Sequence, residues 1–193
     1  VDTCKEQMIY EIHNPKAYLT PDATADFSKV TFRQIGENQV RAEHATTHGR
    51  PETLKVSVGY KDCFIGEGEI SYGGSNCMAR AELAAEILEK RIELTGIELE
   101  EYRTDFIGCN SLYRDAISKE IGSGTPCEVR LHAAGRTKDR KNAVLLANEV
   151  EALYTNGPAG GGGAVKRVSE IVSVCSIFVP RDAVEAKVTL REV

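Results

Sequence analysis

Between a helical segment and a strand-like one, the chain carries Tyr154-Thr-Asn-Gly-Pro-Ala-Gly-Gly-Gly-Gly-Ala164. Five of these eleven residues are glycine, and Gly160 to Gly163 are consecutive. Such a run opposes folding, because each glycine surrenders a large backbone entropy when it is fixed. A flexible interdomain linker would carry Ser, Glu or Lys and would separate two cores. This run instead joins two elements of one core, so something offsets its cost. A close backbone approach to a ligand, packing against a subunit, or a turn that no side chain can enter would each do so. The run lacks the Lys-Ser/Thr of a phosphate-binding loop and leads into a strand rather than a helix, so that motif and the dinucleotide fingerprint are both excluded. Its backbone N–H groups can still cradle a carboxylate or a phosphate. Asn156, Gly160, Gly161 and Gly162 are therefore substrate-binding candidates.

The residues on either side fix the fold class. The N-terminal third reads as extended, with a hairpin of Val30–Ile35 and Val40–His44 around Gly36–Gln39. Thr53–Tyr60 alternates as a half-buried strand, Lys61-Asp62 is read as a turn, and Cys63–Tyr72 as its partner strand. Gly66 and Gly68 inside that strand point to a bulge or to a close approach by another group. From Asn76 the period becomes helical through Met78, Leu83, Ala84, Ile87, Leu88 and Ile92, with Ser75 or Asn76 as cap and Gly96 as stop. A strand at Tyr102–Gly108, a shorter helix at Asn110–Gly122 and a strand at Cys127–Ala134 follow. A helix opened by Thr137 or Asp139 then runs to Leu153, and strands at Val168–Val179 and Val184–Leu190 close the chain. Two strand–helix–strand units in this order predict an α+β fold: a two-layer sandwich of a largely antiparallel sheet with helices on one face, split-βαβ-like, with the N-terminal hairpins extending the sheet. A single domain over 1–193 is expected, with a hairpin-rich extension at 1–62 and a βαβ-type core at 63–193.

Composition narrows the function. A net charge of −5 over 193 residues argues against a nucleic-acid partner or an anionic membrane surface. No apolar run approaches the roughly 20 residues needed to span a bilayer, and without a basic and then an apolar stretch near Val1 no signal peptide is expected. The six cysteines (Cys4, Cys63, Cys77, Cys109, Cys127, Cys175) form no C-x-x-C pair. Widely spaced and mostly in apolar surroundings, they read as buried free thiols of a cytoplasmic protein rather than as a metal site or a disulfide framework. The chain begins at Val1 without Met and is expected to be a processed product or part of a longer polypeptide.

Three carboxylates are catalytic candidates. Glu67 and Glu69 share one face of a strand, a spacing that could share a proton or a cation; the bland alternative is a solvated sheet face. Asp105 lies in an apolar strand that leads through Asn110-Ser111 into a helix. Asn110 and Ser111 are substrate-binding candidates there, with simple helix capping as the alternative. Ser111 as a nucleophile would need one of only four histidines, His13, His44, His48 or His132, and no G-x-S-x-G surrounds it. His44-x-x-x-His48 lacks the intervening Glu of a zinc helix, and no metal is assigned. Arg136, between a strand and a helix start, is a candidate anion clamp, with a surface ion pair as the default.

Pro21–Phe27, Thr53–Tyr60, Gly66–Tyr72, Asp105–Gly108 and above all Glu151–Gly163 together resemble the acyclic terpene utilisation (AtuA) family, over nearly the whole chain. The resemblance implies bacterial catabolism of acyclic terpenes and related acids. It also implies a preceding α/β segment, supplied by the rest of a longer chain or by a separate subunit. The chain is accordingly expected to be part or subunit of a catabolic enzyme acting on a small organic acid or its thioester, by lyase- or hydratase-like acid–base chemistry. It would work as a homo-oligomer, or as a hetero-oligomer with a chain carrying that α/β part. No cofactor is assigned. A non-catalytic structural subunit, whose glycine loop packs against a partner, is the alternative.

Overall fold

The computed structural model describes residues 1–192 apart from Ser123 and Thr125. They fall into two compact units, Tyr60–Ser173 and Val1–Gly59 together with the residues from Val174 onward. The second of these holds a helix α1 (Asp2–Ile9) and short strands β1 (Tyr18–Leu19), β2 (Thr24–Asp26), β3 (Thr31–Gly36), β4 (Gln39–Glu43) and β5 (Thr46–Thr47). β3 and β4 form the expected hairpin, turning at Asn38 in the left-handed conformation. The helix α1 corrects the reading of the N-terminal third as extended. It buries none of its residues fully, so it leaves little apolar period in the sequence.

The remaining elements lie in the unit Tyr60–Ser173, apart from the first residues of β6 and the last residues of β9. β6 (Thr53–Gly73) leads into α2 (Cys77–Thr95), β7 (Glu101–Ile107), α3 (Arg114–Ile121), β8 (Glu128–Thr137), α4 (Arg140–Asn156) and β9 (Gly161–Pro180). The sheet order is β7-β8-β6-β9. Each strand–helix–strand unit therefore has a strand of the other inserted between its own two, which is the split-βαβ arrangement. β8 runs antiparallel to both neighbours, Phe64–Gly73 of β6 opposite Thr137–Glu128 and Glu101–Ile107 of β7 opposite Arg136–Arg130. The expected α+β class and one-sided helices hold. The hairpins, however, do not extend this sheet: β1-β2-β5 and β3-β4 are hydrogen-bonded as sheets of their own.

Two further expectations are corrected. Lys61-Asp62 is no turn but the middle of a continuous 21-residue strand. Neither residue supplies the positive φ or fixed ring of a tight turn, and the Asp62 carboxylate is held by Arg136, Lys138 and Ser173. Val184–Leu190 alternates in sequence yet forms no strand; a short 3-10 turn at Arg181–Ala183 precedes it, and among the described residues no strand pairs with it. The helix boundaries fare better. Asp139 caps α4 by accepting from the Lys141 amide at 2.8 Å, and Gly96 ends α2 in the left-handed conformation.

Alternation decides which face the helices cover. Val129, Leu131 and Ala133 of β8 and Ile70 and Tyr72 of β6 are buried against Ala81, Ala84 and Leu88 of α2 and Val150 and Leu153 of α4. The approach of α4 to β6 depends on two missing side chains. A Cβ on Gly66 would lie 2.1 Å from the Ala143 carbonyl oxygen, and one on Gly68 would lie 2.6 Å from Val150 Cβ. These are the glycines whose presence inside a strand predicted a close approach, and the group that approaches is the helix. Gly66→Ala should therefore cost about 1–3 kcal/mol in denaturant unfolding, the usual penalty for overpacking a filled core. Gly162→Ala, where nothing lies within 4 Å of the added methyl, should change stability by no more than about 0.5 kcal/mol.

Candidate functional site

The face of the sheet away from the helices carries charged side chains in register. Asp105 on β7 stands opposite His132 on β8, which stands opposite Glu69 on β6. Glu67, two residues along β6, shares that face. Contacts from Lys61 to Glu170 and from Glu67 to Arg167 show β9 antiparallel to β6, bringing Arg167 onto the same surface. The three carboxylates read from the sequence as acid–base candidates are thus drawn together by pairing.

The residue at their centre is His132. Its Nε2 lies 3.6 Å from Glu67 Oε2 and its Nδ1 3.9 Å from Asp105 Oδ2. Both separations exceed a direct hydrogen bond, so both ring nitrogens remain open to a third group. Sequence reading counted His132 only as one of four histidines. Its signal was faint: an outward position in the alternating strand Cys127–Ala134, meaningful only once β8 is set beside the Glu67-x-Glu69 strand.

Cations surround this cluster. Arg130 donates to Glu69, to Ser71 Oγ at 2.8 Å and to the Gly163 carbonyl at 3.1 Å. Arg167 pairs with Glu67 at 3.4 Å. Asp105 is 6% exposed and accepts from Arg103 at 2.6–2.7 Å, with Arg114 at 3.7 Å. The cavity beside Glu67, Glu69 and Arg167 holds only about 70 Å³. The site is a shallow charged face rather than a deep pocket.

The remaining candidates lie elsewhere. Asn110 does not cap α3; its side-chain oxygen accepts from the Phe106 amide at 2.8 Å and its amide donates to Asp115, which together with Lys119 holds that carboxyl below its usual range. α3 starts later than expected, at Arg114, and no side chain caps it. Asn110 lines a cavity of about 470 Å³ and Ser111 one of about 280 Å³, and neither includes Glu67 or Glu69. Arg136 is engaged by Cys63 at 3.2 Å, by Asp62 at 2.9 Å and, more distantly, by Glu100 and Glu101. Asn156 ends α4, exposed.

The glycine loop meets the chain's own residues. Gly160 has φ +78°, and a Cβ there would lie 2.7 Å from Arg80 Nη1. Arg80 donates to the Ala159 carbonyl at 2.8 Å and to the carbonyls of Gly73 and Ser75. A Cβ on Gly161 would lie 2.8 Å from Ile70 Cδ1 and 3.2 Å from the Tyr72 ring. Gly161 to Gly163 already belong to β9. The entropy cost of the run is met by a turn that lays β9 against β6 under an arginine clasp.

All six cysteines are free, but only Cys63 and Cys77 are buried, whereas Cys127 and Cys175, in strand-like surroundings in the sequence, are exposed. Among the described residues no cluster of three or more His, Cys, Asp and Glu is placed to hold a metal ion. Among the same residues no helix is long and apolar enough to cross a membrane.

A split-βαβ unit with a charged open face defines a fold class shared by many functions. The family described as acyclic terpene utilisation family protein AtuA matches residues 1–190, and the chain belongs to it. No curated protein and no solved structure matches the chain.

Asp62 gives the unit a pH dependence. The hydroxyl of Ser173, then Lys138 and Arg136, hold its carboxyl down to about 2, against about 4 in an unfolded chain. A pKa lowered on folding contributes stability that is full above pH about 4 and lost as pH falls through about 2. The denaturation midpoint of the wild-type chain should fall over that window, and Asp62→Asn should flatten the fall. An unchanged slope would separate acid sensitivity from Asp62.

Proposed function

We propose that this chain is part or subunit of a catabolic enzyme of the acyclic terpene utilisation type, and that the open face of its sheet is an acid–base site acting on a small organic acid or its thioester. The observation that carries this reading is His132 on the accessible face between Glu67 and Asp105. A histidine with a carboxylate near each ring nitrogen but bonded to neither is suited to passing a proton to or from a third group placed between them. Family membership supports the substrate class, and lyase- or hydratase-like chemistry is the reaction type such a group serves. Glu69 and Arg130, tied to each other, position the neighbouring strand rather than react.

So shallow a face needs a second surface to exclude water from the reaction. We infer that it comes from a homo-oligomer or from a partner chain carrying the α/β part that the resemblance implies. β9 at the sheet edge, with Val165 and Val172 more than half exposed, supports such an assembly. Free thiols throughout the chain fit a cytoplasmic setting.

The chemistry is open to direct measurement. Exchange of α-protons for deuterium in short carboxylic acids and their thioesters, followed by NMR, should be accelerated by the protein. His132→Gln should lower that rate by about 10²–10⁴-fold without changing the thermal midpoint by more than a few degrees. Full exchange activity in the variant would remove His132, and with it the reading, from consideration.

A further inference from the structure

We propose that Arg103 and Arg114, at the β7 edge of the open face, bind the carboxylate of the substrate, so that the site takes a free organic acid in preference to its thioester. This rests on the reading of the face as an acid–base site and adds which chemical form occupies it.

The distribution of charge across the face carries the inference. Arg130 is taken up by Glu69, Ser71 and a backbone carbonyl, and Arg167 is matched by Glu67. At the β7 edge the balance differs: one carboxylate, Asp105, serves two guanidinium groups. Among the described residues neither arginine has another carboxylate within 4 Å. Around Asp105 one positive charge is therefore in local excess, while Glu101, two residues before Arg103 on β7, is turned to Arg136.

The exposures show which group is free to take a ligand. The Asp105 side chain is 9% exposed, while those of Arg103 and Arg114 are 45% and 59% exposed. Asp105 is a fixed anion beneath two accessible donors. Arg103 is tightly held by it, and Arg114, at the longer distance, has most of its fork unused. Arg114 also stands at φ +58°, a conformation that L residues rarely adopt, and its side chain reaches back from the start of α3 to β7. Guanidinium is the side chain best shaped for a planar carboxylate, which it grips through two parallel hydrogen bonds.

The same Asp105 oxygen that meets Arg103 lies 3.9 Å from His132 Nδ1. An acid bound at this edge would have its carboxylate beside the imidazole, with the adjacent carbon on the His132 side. Pairing with the arginines would also withdraw charge that otherwise opposes proton loss at that carbon. A thioester is neutral at its acyl group and would leave the surplus guanidinium unpaired.

The test uses the 193-residue chain with two probes, sodium hexanoate and S-ethyl hexanethioate, following affinity by calorimetry and the His132 ring by NMR. Hexanoate should bind at least about tenfold more tightly than the thioester, the ratio expected of one charge-assisted pair. Arg114→Gln should lose about that factor for hexanoate and nothing for the thioester, while Lys90→Gln, a remote exposed charge, should leave both unchanged. If the thioester binds as well as the acid while both shift the His132 ring, the free-acid proposal is wrong and the acid–base site stands. The same holds if Arg114→Gln binds hexanoate normally. If neither probe reaches the His132 ring, the acid–base reading fails and takes this proposal with it. Should Arg114→Gln fail to fold, the comparison of the two probes on the unaltered chain decides by itself.

Discussion

The backbone of α4 rests directly on β6 because Gly66 and Gly68 offer no side chain to hold it away, and the rest of the sheet's chemistry depends on that contact. With the helix this close, Val150, Leu153, Ile70 and Tyr72 close into one apolar layer with α2. Both helices are then committed to one side. The alternate residues of the same strands, Glu67, Glu69, Ser71, Arg130, His132 and Arg136, are left on the other. A sheet buried on one face and charged on the other is a familiar solution for antiparallel strands. Here the polar face carries more than solvating charge, since its groups are matched across strands into pairs and one buried carboxylate.

Within that face, the ion pairs differ in weight. Arg130–Glu69 and Arg167–Glu67 are partly exposed pairs of the kind that contribute little to stability. Asp105 is different because it is almost wholly shielded, and removing its arginines would leave an uncompensated charge. The arginines are thus needed by the fold as well as being available to a ligand. The glycine loop, by contrast, belongs to the scaffold: Arg80 clasps it, Tyr72 and Ile70 lie under it, and the Tyr154 hydroxyl accepts from the Ala164 amide at 2.9 Å.

Much of the fold was legible from local pattern. The helices α2 and α4 declared themselves by period, by Gly96 and by Asp139, and the strand–helix order announced the split-βαβ unit. The helix α1 was not legible because it buries no residue. The continuity of β6 through Lys61-Asp62 was hidden because Asp62 is stabilised by Arg136, Lys138 and Ser173, and Ser173 is 111 residues away. Val184–Leu190 misled in the opposite sense, since alternation alone forms no strand without a neighbour. At the site, Glu67, Glu69 and Asp105 could be picked out by residue type. Arg136 and Asn110 had the right chemistry but were already engaged by Asp62 and Phe106.

By itself the sequence determined the family, the α+β class and the close approach at Gly66 and Gly68, because turn chemistry, period and glycine placement act within a few residues. Only the tertiary structure decided what those glycines accommodate and which charged residues meet. The order β7-β8-β6-β9 places Asp105, His132 and Glu69 side by side although they are far apart in the chain. Pairing register is a long-range property, fixed by the packing of the whole sheet rather than by any segment of it. The physical reason His132 stayed hidden is the same: its significance lies in its neighbours across the strands, and no local pattern names them.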